Sequence, residues 1–265
     1  MAPTPGPRDG RVLSSAQVSL PESSTELYAR DRNARSYARH RLGQPYVVDI
    51  LRRLARKSPG GAILEMGCGT GAYAASLAAG DALRVHGMDL SLQMLRRADV
   101  AGSVSYVQGR ATELPFADAA MGMVFSVNVI HHLRALDDYF REAARILGDR
   151  GILCTATDSR AIIERRVPLS RYWPETVPAE LERYHDIGRL RARMEAAGFR
   201  DLDQCEGRAE FSITDDEAYR EKAFSCLRLI PEAAFQRGLS AMQADLRLGP
   251  VKGASELIFV WGVRC

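Results

Sequence analysis

The sequence has no long hydrophobic run, and this absence excludes an integral membrane protein first. No stretch of the 265 residues approaches the roughly 18 consecutive apolar residues that a membrane-spanning helix needs. The N-terminus also has no apolar core of a secretory signal. We therefore expect a cytoplasmic protein that does not act at a membrane.

Cysteine and lysine are both scarce. The five cysteines contain no C-x-x-C pair, so the sequence predicts neither a zinc site nor a disulfide framework. Lys57, Lys222 and Lys252 are the only lysines among 36 basic residues, and the net charge is +3. This charge is too small to indicate a nucleic-acid partner.

The most informative feature is an apolar strand that ends in an acid, Glu65, and continues into alternating glycines at Gly67, Gly69 and Gly71. Glycine allows a sharp turn and removes the Cβ atoms that would keep a ligand away from the backbone. A helix that begins near Ala72 presents its N-terminal amides at the same place. The pattern predicts a site for a nucleoside-containing cofactor.

Two classes of cofactor use such a loop. Gly67, Gly69 and Ala72 fit the dinucleotide pattern G-x-G-x-x-G/A, which is a weak signal alone. Asp89 ends a second short apolar strand, 24 residues after Glu65. A doubly wound sheet places an acid there to accept hydrogen bonds from ribose hydroxyls. The alternative is that Asp89 only caps the helix that follows.

The acid before the loop, the third glycine and the segment from Val85 to Leu95 resemble the small-molecule group of class I S-adenosylmethionine-dependent methyltransferases. This resemblance is specific from about residue 62 to 153 and covers the rest in outline. It implies an α/β fold, a Rossmann-like seven-stranded sheet that is mostly parallel with an antiparallel last strand, plus a helical lid and cap. It also implies S-adenosylmethionine as the cofactor.

The resemblance assigns roles to individual residues. It puts Glu65 near the cofactor's ammonium or the loop amides, Asp89 at the ribose, and Leu90 and Met94 beside the adenine. Arg110 stands where the family usually has an acid near the adenine. The complete set of expected cofactor-binding residues is Glu65, Gly67, Cys68, Gly69, Gly71, Asp89, Leu90, Met94, Arg110, Ala111, Asn128, Tyr28 and Tyr37.

His131 and His132 follow the fourth strand, beside which the family places the transferred methyl group. A histidine near its ordinary pKa can take a proton from a hydroxyl or an amine, so both are candidate general bases. Adjacent side chains at a helix start face different directions, so at most one should point into the site. The alternative is that either histidine only caps the helix or packs against its neighbours. Methyl transfer can also proceed by positioning of the two reactants alone.

Motifs for other acceptors are missing. The sequence has no Pro-Pro-aromatic tetrapeptide for base nitrogens, no Pro-Cys nucleophile and no paired-glutamate loop, and Asp158-Ser159 is at best a fragment of a magnesium site. The resemblance therefore implies O- or N-methylation of a small molecule, with oxygen preferred and natural-product biosynthesis as a context. We expect no metal, no nucleic-acid or membrane partner, and a monomer or homodimer.

Alternating strands and helices predict a parallel sheet. We expect a disordered tail at 1–24, a helical lid at 25–60 and a methyltransferase domain at 61–265, with cap inserts at about 159–184 and 211–250. Arginines in the first insert, at 160, 165, 166 and 171, bind an anionic acceptor or form a solvated face. The predicted strands are 62–66, 84–88, 104–108, 122–127, 151–155, 199–208 and 256–263; the predicted helices include 25–57, 135–147, 186–197, 215–229 and 231–246.

Two other functions stay open. One is a nicotinamide-linked oxidoreductase, which is disfavoured because no Tyr-x-x-x-Lys pair follows the loop. The other is a non-catalytic subunit that binds S-adenosylmethionine and supports a partner enzyme.

Overall fold

The computed structural model describes residues 39, 43–79, 83–98 and 104–265, and these form a seven-stranded sheet with helices on both faces. The strands are β1 (Ala62–Met66), β2 (Val85–Asp89), β3 (Val104–Gln108), β4 (Met121–Val127), β5 (Leu147–Thr157), β6 (Phe199–Ile213) and β7 (Val251–Arg264). The α-helices are α1 (Pro45–Lys57), α2 (Ala72–Ala78), α3 (Leu92–Leu95), α4 (Leu136–Ile146), α5 (Arg160–Arg165), α6 (Leu169–Tyr172), α7 (Thr176–Arg183), α8 (Ile187–Ala196), α9 (Glu217–Arg220) and α10 (Glu232–Leu248).

The strand order is β3-β2-β1-β4-β5-β7-β6. Strands β1 to β5 pair in parallel, whereas β7 is antiparallel to both β5 and β6. This confirms the predicted fold class. The chain winds outward from β1 to β3 and then crosses to β4, so β1 and β4 form the switch point of the sheet. Open α/β sheets bind ligands at the carboxyl ends of the strands at such a point.

Side chains of each strand alternate between the two faces. Ile63 packs with α1 and α2 on one face, and Leu64 packs with α4 and α8 on the other. Helix α1, which ends at Lys57 as predicted, buries Leu51 completely and therefore belongs to the layer that covers the sheet. The predicted tail at 1–24 and most of the predicted lid before α1, with Tyr28 and Tyr37, lie outside the described residues.

The predicted strands β1 to β4 are confirmed within one residue. Strand β5 begins four residues earlier than predicted, and β6 and β7 extend further and form a long antiparallel ribbon. The predicted helix at 215–229 is wrong. The chain instead forms one turn, α9, and a short 3-10 helix at Ser225–Arg228. Lys222 lies between them with a φ of 51°. This left-handed conformation interrupts helical hydrogen bonding.

The two predicted cap inserts share one hydrophobic core. Trp173 of the first insert is fully buried and stacks on Tyr219 and Phe235 of the second, at centroid distances of 5.6 and 6.3 Å. Its Nε1 donates a hydrogen bond to the carbonyl oxygen of Phe235 at 2.9 Å. Tyr172 and Trp173 of the first insert therefore belong to this shared core.

Gly238→Ala should lower the free energy of unfolding by about 1–3 kcal/mol, because overpacking costs that much in a dense core. A Cβ atom at Gly238 would lie 2.3 Å from Nε1 of Trp173 and 2.5 Å from the carbonyl oxygen of Tyr172. Urea unfolding measures the effect. The control is Gly188→Ala in α8, where the added atom meets only Oδ1 of Asp186 at 3.1 Å. Equal stability of the two variants would contradict this account of the cap.

Candidate active site

The glycine loop connects β1 to α2 at the switch point. Gly67, Gly69 and Gly71 have φ angles of 69°, 57° and 75°, which residues with a side chain rarely adopt. A Cβ atom on Gly67 would lie 2.4 Å from Cγ2 of Val129, and one on Gly71 would lie 2.2 Å from the hydroxyl of Tyr106. At these two positions a side chain would collide with neighbouring side chains, so the packing of the protein itself also requires glycine.

Glu65 lies one residue before the end of β1 and is buried. Its Oε2 accepts a hydrogen bond from the backbone N–H of Ala74, in the first turn of α2, at 2.8 Å. Burial raises the pKa of Glu65 to about 8, while the Ala74 bond lowers it and the charge of Asp89 raises it as smaller effects. Glu65 therefore anchors the start of the helix that follows the loop.

Glu65→Gln should flatten the dependence of stability on pH. The folded pKa of about 8 lies above the ordinary value of 4.5, so the folded state holds the proton more tightly. The wild-type protein should therefore lose stability as pH rises from about 5 to about 8. Urea unfolding across this window measures the effect, with Glu164→Gln, at an exposed position of α5, as the control. If Glu65→Gln and the wild-type protein lose stability in parallel, the buried carboxyl is not the cause.

Asp89 ends β2 and holds the loop in place. Its Oδ2 accepts a hydrogen bond from the N–H of Gly69, and its Oδ1 accepts one from the N–H of Ser91, both at 2.8 Å. Ser91 in turn caps α3 through the N–H of Met94. Each carboxylate oxygen has a second lone pair, so Asp89 can also accept hydrogen bonds from a diol. Burial raises its pKa, and the hydrogen bonds oppose that effect.

The expected adenine-binding residues lie on two neighbouring loops. The N–H of Gly109 donates to the carbonyl oxygen of Asp89 at 3.1 Å, which holds the loop after β3 against the end of β2. Leu90 is half-buried, Met94 is 3% exposed, and Arg110 is exposed with its backbone bridged to Glu113. The structure thus brings the two loops together and leaves the Arg110 side chain at the surface.

Cys68 is buried inside the glycine loop. Its N–H donates to the carbonyl oxygen of Met88 at 2.9 Å, so it ties the loop to β2. Burial raises the pKa of its thiol, as do the charges of Glu65 and Asp89. Cys68 therefore stays a neutral thiol at physiological pH.

Asn128 follows β4, the strand that pairs with β1. Its φ is 56°, and its N–H donates to the carbonyl oxygen of Ala156 at 2.9 Å. Its Oδ1 is buried without a hydrogen-bond partner. A buried carbonyl oxygen without a donor is costly, and an ammonium group is a suitable donor. The ends of β2 and β4 therefore fit a ligand that carries a diol and an ammonium group.

His131 and His132 lie in a short 3-10 helix, Ile130–His132, directly after β4. The His131 ring stacks on Tyr184 at 4.1 Å and contacts the His132 ring at 4.0 Å. Burial lowers the pKa of His131 well below its ordinary value and that of His132 to about 3, and the positive charge of Arg183 adds to both effects. Both rings are therefore neutral at physiological pH.

A buried network of charges lies near the histidines. Nη1 of Arg166 donates to Oδ2 of Asp158 at 2.9 Å and to Oε2 of Glu180 at 3.0 Å. Nη2 of Arg183 also bonds Glu180, and donates to Oγ of Ser225 at 3.2 Å. The other three arginines singled out in this insert, Arg160, Arg165 and Arg171, are exposed and pair with Glu164, Glu256 and Asp245.

Sequence reasoning missed Glu180, Arg183 and Tyr184. Glu180 and Arg183 lie in the second half of α7 and Tyr184 follows it. Glu180 meets Arg166, and Tyr184 meets His131, only in the folded chain. Their spacing carries no recognisable motif. Within the described ranges, no group of three or more His, Cys, Asp or Glu side chains is arranged to hold a metal ion. No described helix has the length and apolar character of a membrane span.

Residues 64–155 match the family model of the methyltransferase domain. A probable S-adenosylmethionine-dependent methyltransferase from Mycolicibacterium smegmatis is 30% identical over 153 residues, which cover 57% of this chain and 56% of the relative. The 27-O-demethylrifamycin SV methyltransferase of Amycolatopsis mediterranei is 32% identical over 111 residues, which cover 38% of this chain and 41% of the relative. The chain thus spans about half the length of the curated relatives it matches.

Solved structures share the fold. One, described as a methyltransferase from an antibiotic biosynthesis pathway of Anabaena variabilis, has a TM-score of 0.65 and 22% identity, covering 84% of this chain and 98% of its own. The [4+2]-cyclase SpnF has a TM-score of 0.53 and 18% identity, covering 85% of this chain and 83% of its own. At these identities the likeness shows the fold alone. The match of residues 64–155 to the methyltransferase domain, the strand order and the glycine loop together support a class I S-adenosylmethionine-dependent methyltransferase.

Proposed function

We propose that this protein transfers the methyl group of S-adenosylmethionine to an oxygen or nitrogen atom of a small-molecule acceptor. One observation carries the proposal. The glycine loop, Asp89 and the unpaired Oδ1 of Asn128 lie at the ends of β1, β2 and β4, and His131 and His132 lie four and five residues after the last residue of β4. A cofactor site and a set of proton acceptors therefore share one edge of the sheet.

The chain's own residues have distinct roles in this proposal. Asp89 accepts hydrogen bonds from the ribose, Asn128 Oδ1 accepts one from the ammonium, and Leu90 covers the adenine. S-adenosylmethionine supplies an electrophilic methyl group on its sulfonium. The cap, with Trp173 in its core, excludes water from the acceptor. Fixing two reactants in line removes much of the entropic barrier to transfer.

A neutral imidazole of His131 or His132 takes the proton that the acceptor loses. The lowered pKa values leave both rings unprotonated and ready to accept. The same low pKa makes each ring a weak base, so positioning carries the larger share of the rate if the acceptor is already acidic. A phenol or another acidic hydroxyl is therefore the acceptor that this site favours.

The names of relatives support oxygen as the acceptor atom. The A. mediterranei relative is a demethylrifamycin methyltransferase, and another, from Aspergillus sclerotiorum, is an O-methyltransferase that is 28% identical over 137 residues, covering 49% of this chain. We extend this to an acceptor of natural-product type, bound under the cap by a monomer or homodimer. We also propose that the segment before α1 forms a lid and that the protein has no nucleic-acid partner.

The two other functions are tested by the same assay. The purified protein is incubated with S-adenosylmethionine and a panel of phenols, alcohols and amines, and S-adenosylhomocysteine is measured by mass spectrometry. We expect S-adenosylhomocysteine to form only with an acceptor, together with a product heavier by one methylene group. Oxidation of an alcohol of the same panel, when NAD replaces S-adenosylmethionine, would instead support the oxidoreductase. Tight cofactor binding with no turnover on any acceptor would support the partner subunit.

A further inference from the structure

Arg166 follows α5, and its side chain is 13% exposed. Its two carboxylate partners, Asp158 and Glu180, both use Nη1. The Nε and Nη2 atoms of the same guanidinium are buried and have no hydrogen-bond partner. These two nitrogens form one edge of the planar group and present two parallel N–H donors. An edge of this kind binds the two oxygens of a carboxylate or phosphate side by side.

Arg183 adds a third donor to the same cluster. Its Nη2 bonds Glu180 and Ser225, while its Nε is buried without a partner. The positive charges of both arginines lower the pKa of His131, so both lie near the candidate base. Thr157 Oγ1 and His131 Nδ1 are also buried and unpartnered. The unpaired polar atoms thus collect beyond the ends of β4 and β5, next to the proposed site of methyl transfer.

We propose that the free edge of Arg166, with Nε of Arg183 beside it, binds an oxyanion of the methyl acceptor, a carboxylate or a phosphate. The proposal rests on the proposed function, since it names the chemical class of the acceptor at that site. Asp158 and Glu180 balance the two guanidinium charges and hold them in place, but they leave the fork of Arg166 unused. A neutral carbonyl has one oxygen and does not span two parallel donors.

The test uses small probes on the full-length protein. Benzoate, phenyl phosphate and the neutral isostere benzamide are titrated by calorimetry, with and without saturating S-adenosylhomocysteine. Arg166→Lys keeps a positive charge opposite Asp158 and Glu180 but lacks the planar fork. Arg165→Lys, one residue earlier, changes an exposed arginine that pairs with Glu256, and it is the matched control. Circular dichroism checks that each variant is folded.

We expect benzoate or phenyl phosphate to bind at least about tenfold more tightly than benzamide, because charge-assisted hydrogen bonds are the stronger ones. Which of the two binds more tightly distinguishes a carboxylate from a phosphate source. Arg166→Lys should remove this preference, and Arg165→Lys should keep it. If Arg166→Lys does not fold, the proposal is still tested by two other measurements. These are the ratio of anion to benzamide affinity in the wild-type protein and the same ratio in Arg183→Lys.

Equal binding of benzoate, phenyl phosphate and benzamide, or no binding of any probe, would overturn the proposal. An unchanged preference in folded Arg166→Lys would do the same. Failure of S-adenosylhomocysteine to bind would contradict the proposed function instead, and the titrations without it would still decide whether the cluster binds an oxyanion.

Discussion

Replacing His131 or His132 by alanine should lower turnover by about 10²- to 10⁴-fold in one of the two variants, the usual contribution of a general base. The affinity for S-adenosylhomocysteine should not change, because neither ring is among the expected cofactor-binding residues. Steady-state kinetics and calorimetry measure the two quantities. His185→Ala is the control, since that ring lies 3.2 Å from the carbonyl oxygen of Leu133 in the same region.

The pH profile separates a base from a structural histidine. The pKa of His132 is lowered to about 3 by burial and by Arg183, so wild-type turnover should show no fall near the ordinary histidine pKa of about 6.5. The deficit of the affected variant should shrink at high pH, where solvent already ionises the acceptor. Full turnover of both alanine variants at neutral pH would remove both residues from the catalytic site and leave positioning as the mechanism.

Asp89→Ala should weaken the binding of S-adenosylmethionine at least about tenfold, since a hydrogen bond to a charged acceptor contributes ~1.5–3 kcal/mol. The loss has two sources in the structure. The variant lacks the acceptor for the ribose, and it also releases the N–H groups of Gly69 and Ser91 that Asp89 holds. Calorimetry measures the affinity, and urea unfolding measures the accompanying loss of stability.

A matched control separates these effects from a general loss of charge. Asp138→Ala removes an exposed carboxylate on α4 that pairs with Arg141. Its affinity for S-adenosylmethionine should equal that of the wild-type protein. If Asp89→Ala also binds the cofactor with unchanged affinity, Asp89 holds the loop but does not contact the ribose.

The sheet and the loop could be predicted because their signals are local. An apolar strand, Glu65 and three alternating glycines stand within one short segment, and Asp89 ends the next strand. The mostly parallel sheet with an antiparallel last strand then follows from the resemblance to the family. The partner of Gly71 could not be predicted, because Tyr106 comes from β3 and its packing depends on the three-dimensional fold.

The cap and the charged cluster show where sequence reasoning stops. The apolar pattern at 215–229 is typical of one helix, yet Lys222 takes a left-handed conformation and the segment breaks in two. Arg166 could not be told from its exposed neighbour Arg165 by sequence. The folded chain brings Asp158 and Glu180 to Arg166, and the sequence alone does not show this.

Calorimetric titration with S-adenosylmethionine and with NAD tests the central claim most directly. The account predicts one-to-one binding of S-adenosylmethionine to the wild-type protein and no binding of NAD. Gly69→Val should abolish binding with the fold retained by circular dichroism, because a β-branched residue does not tolerate the φ of 57° at this position. Binding of NAD in place of S-adenosylmethionine, or unchanged binding by folded Gly69→Val, would contradict the account.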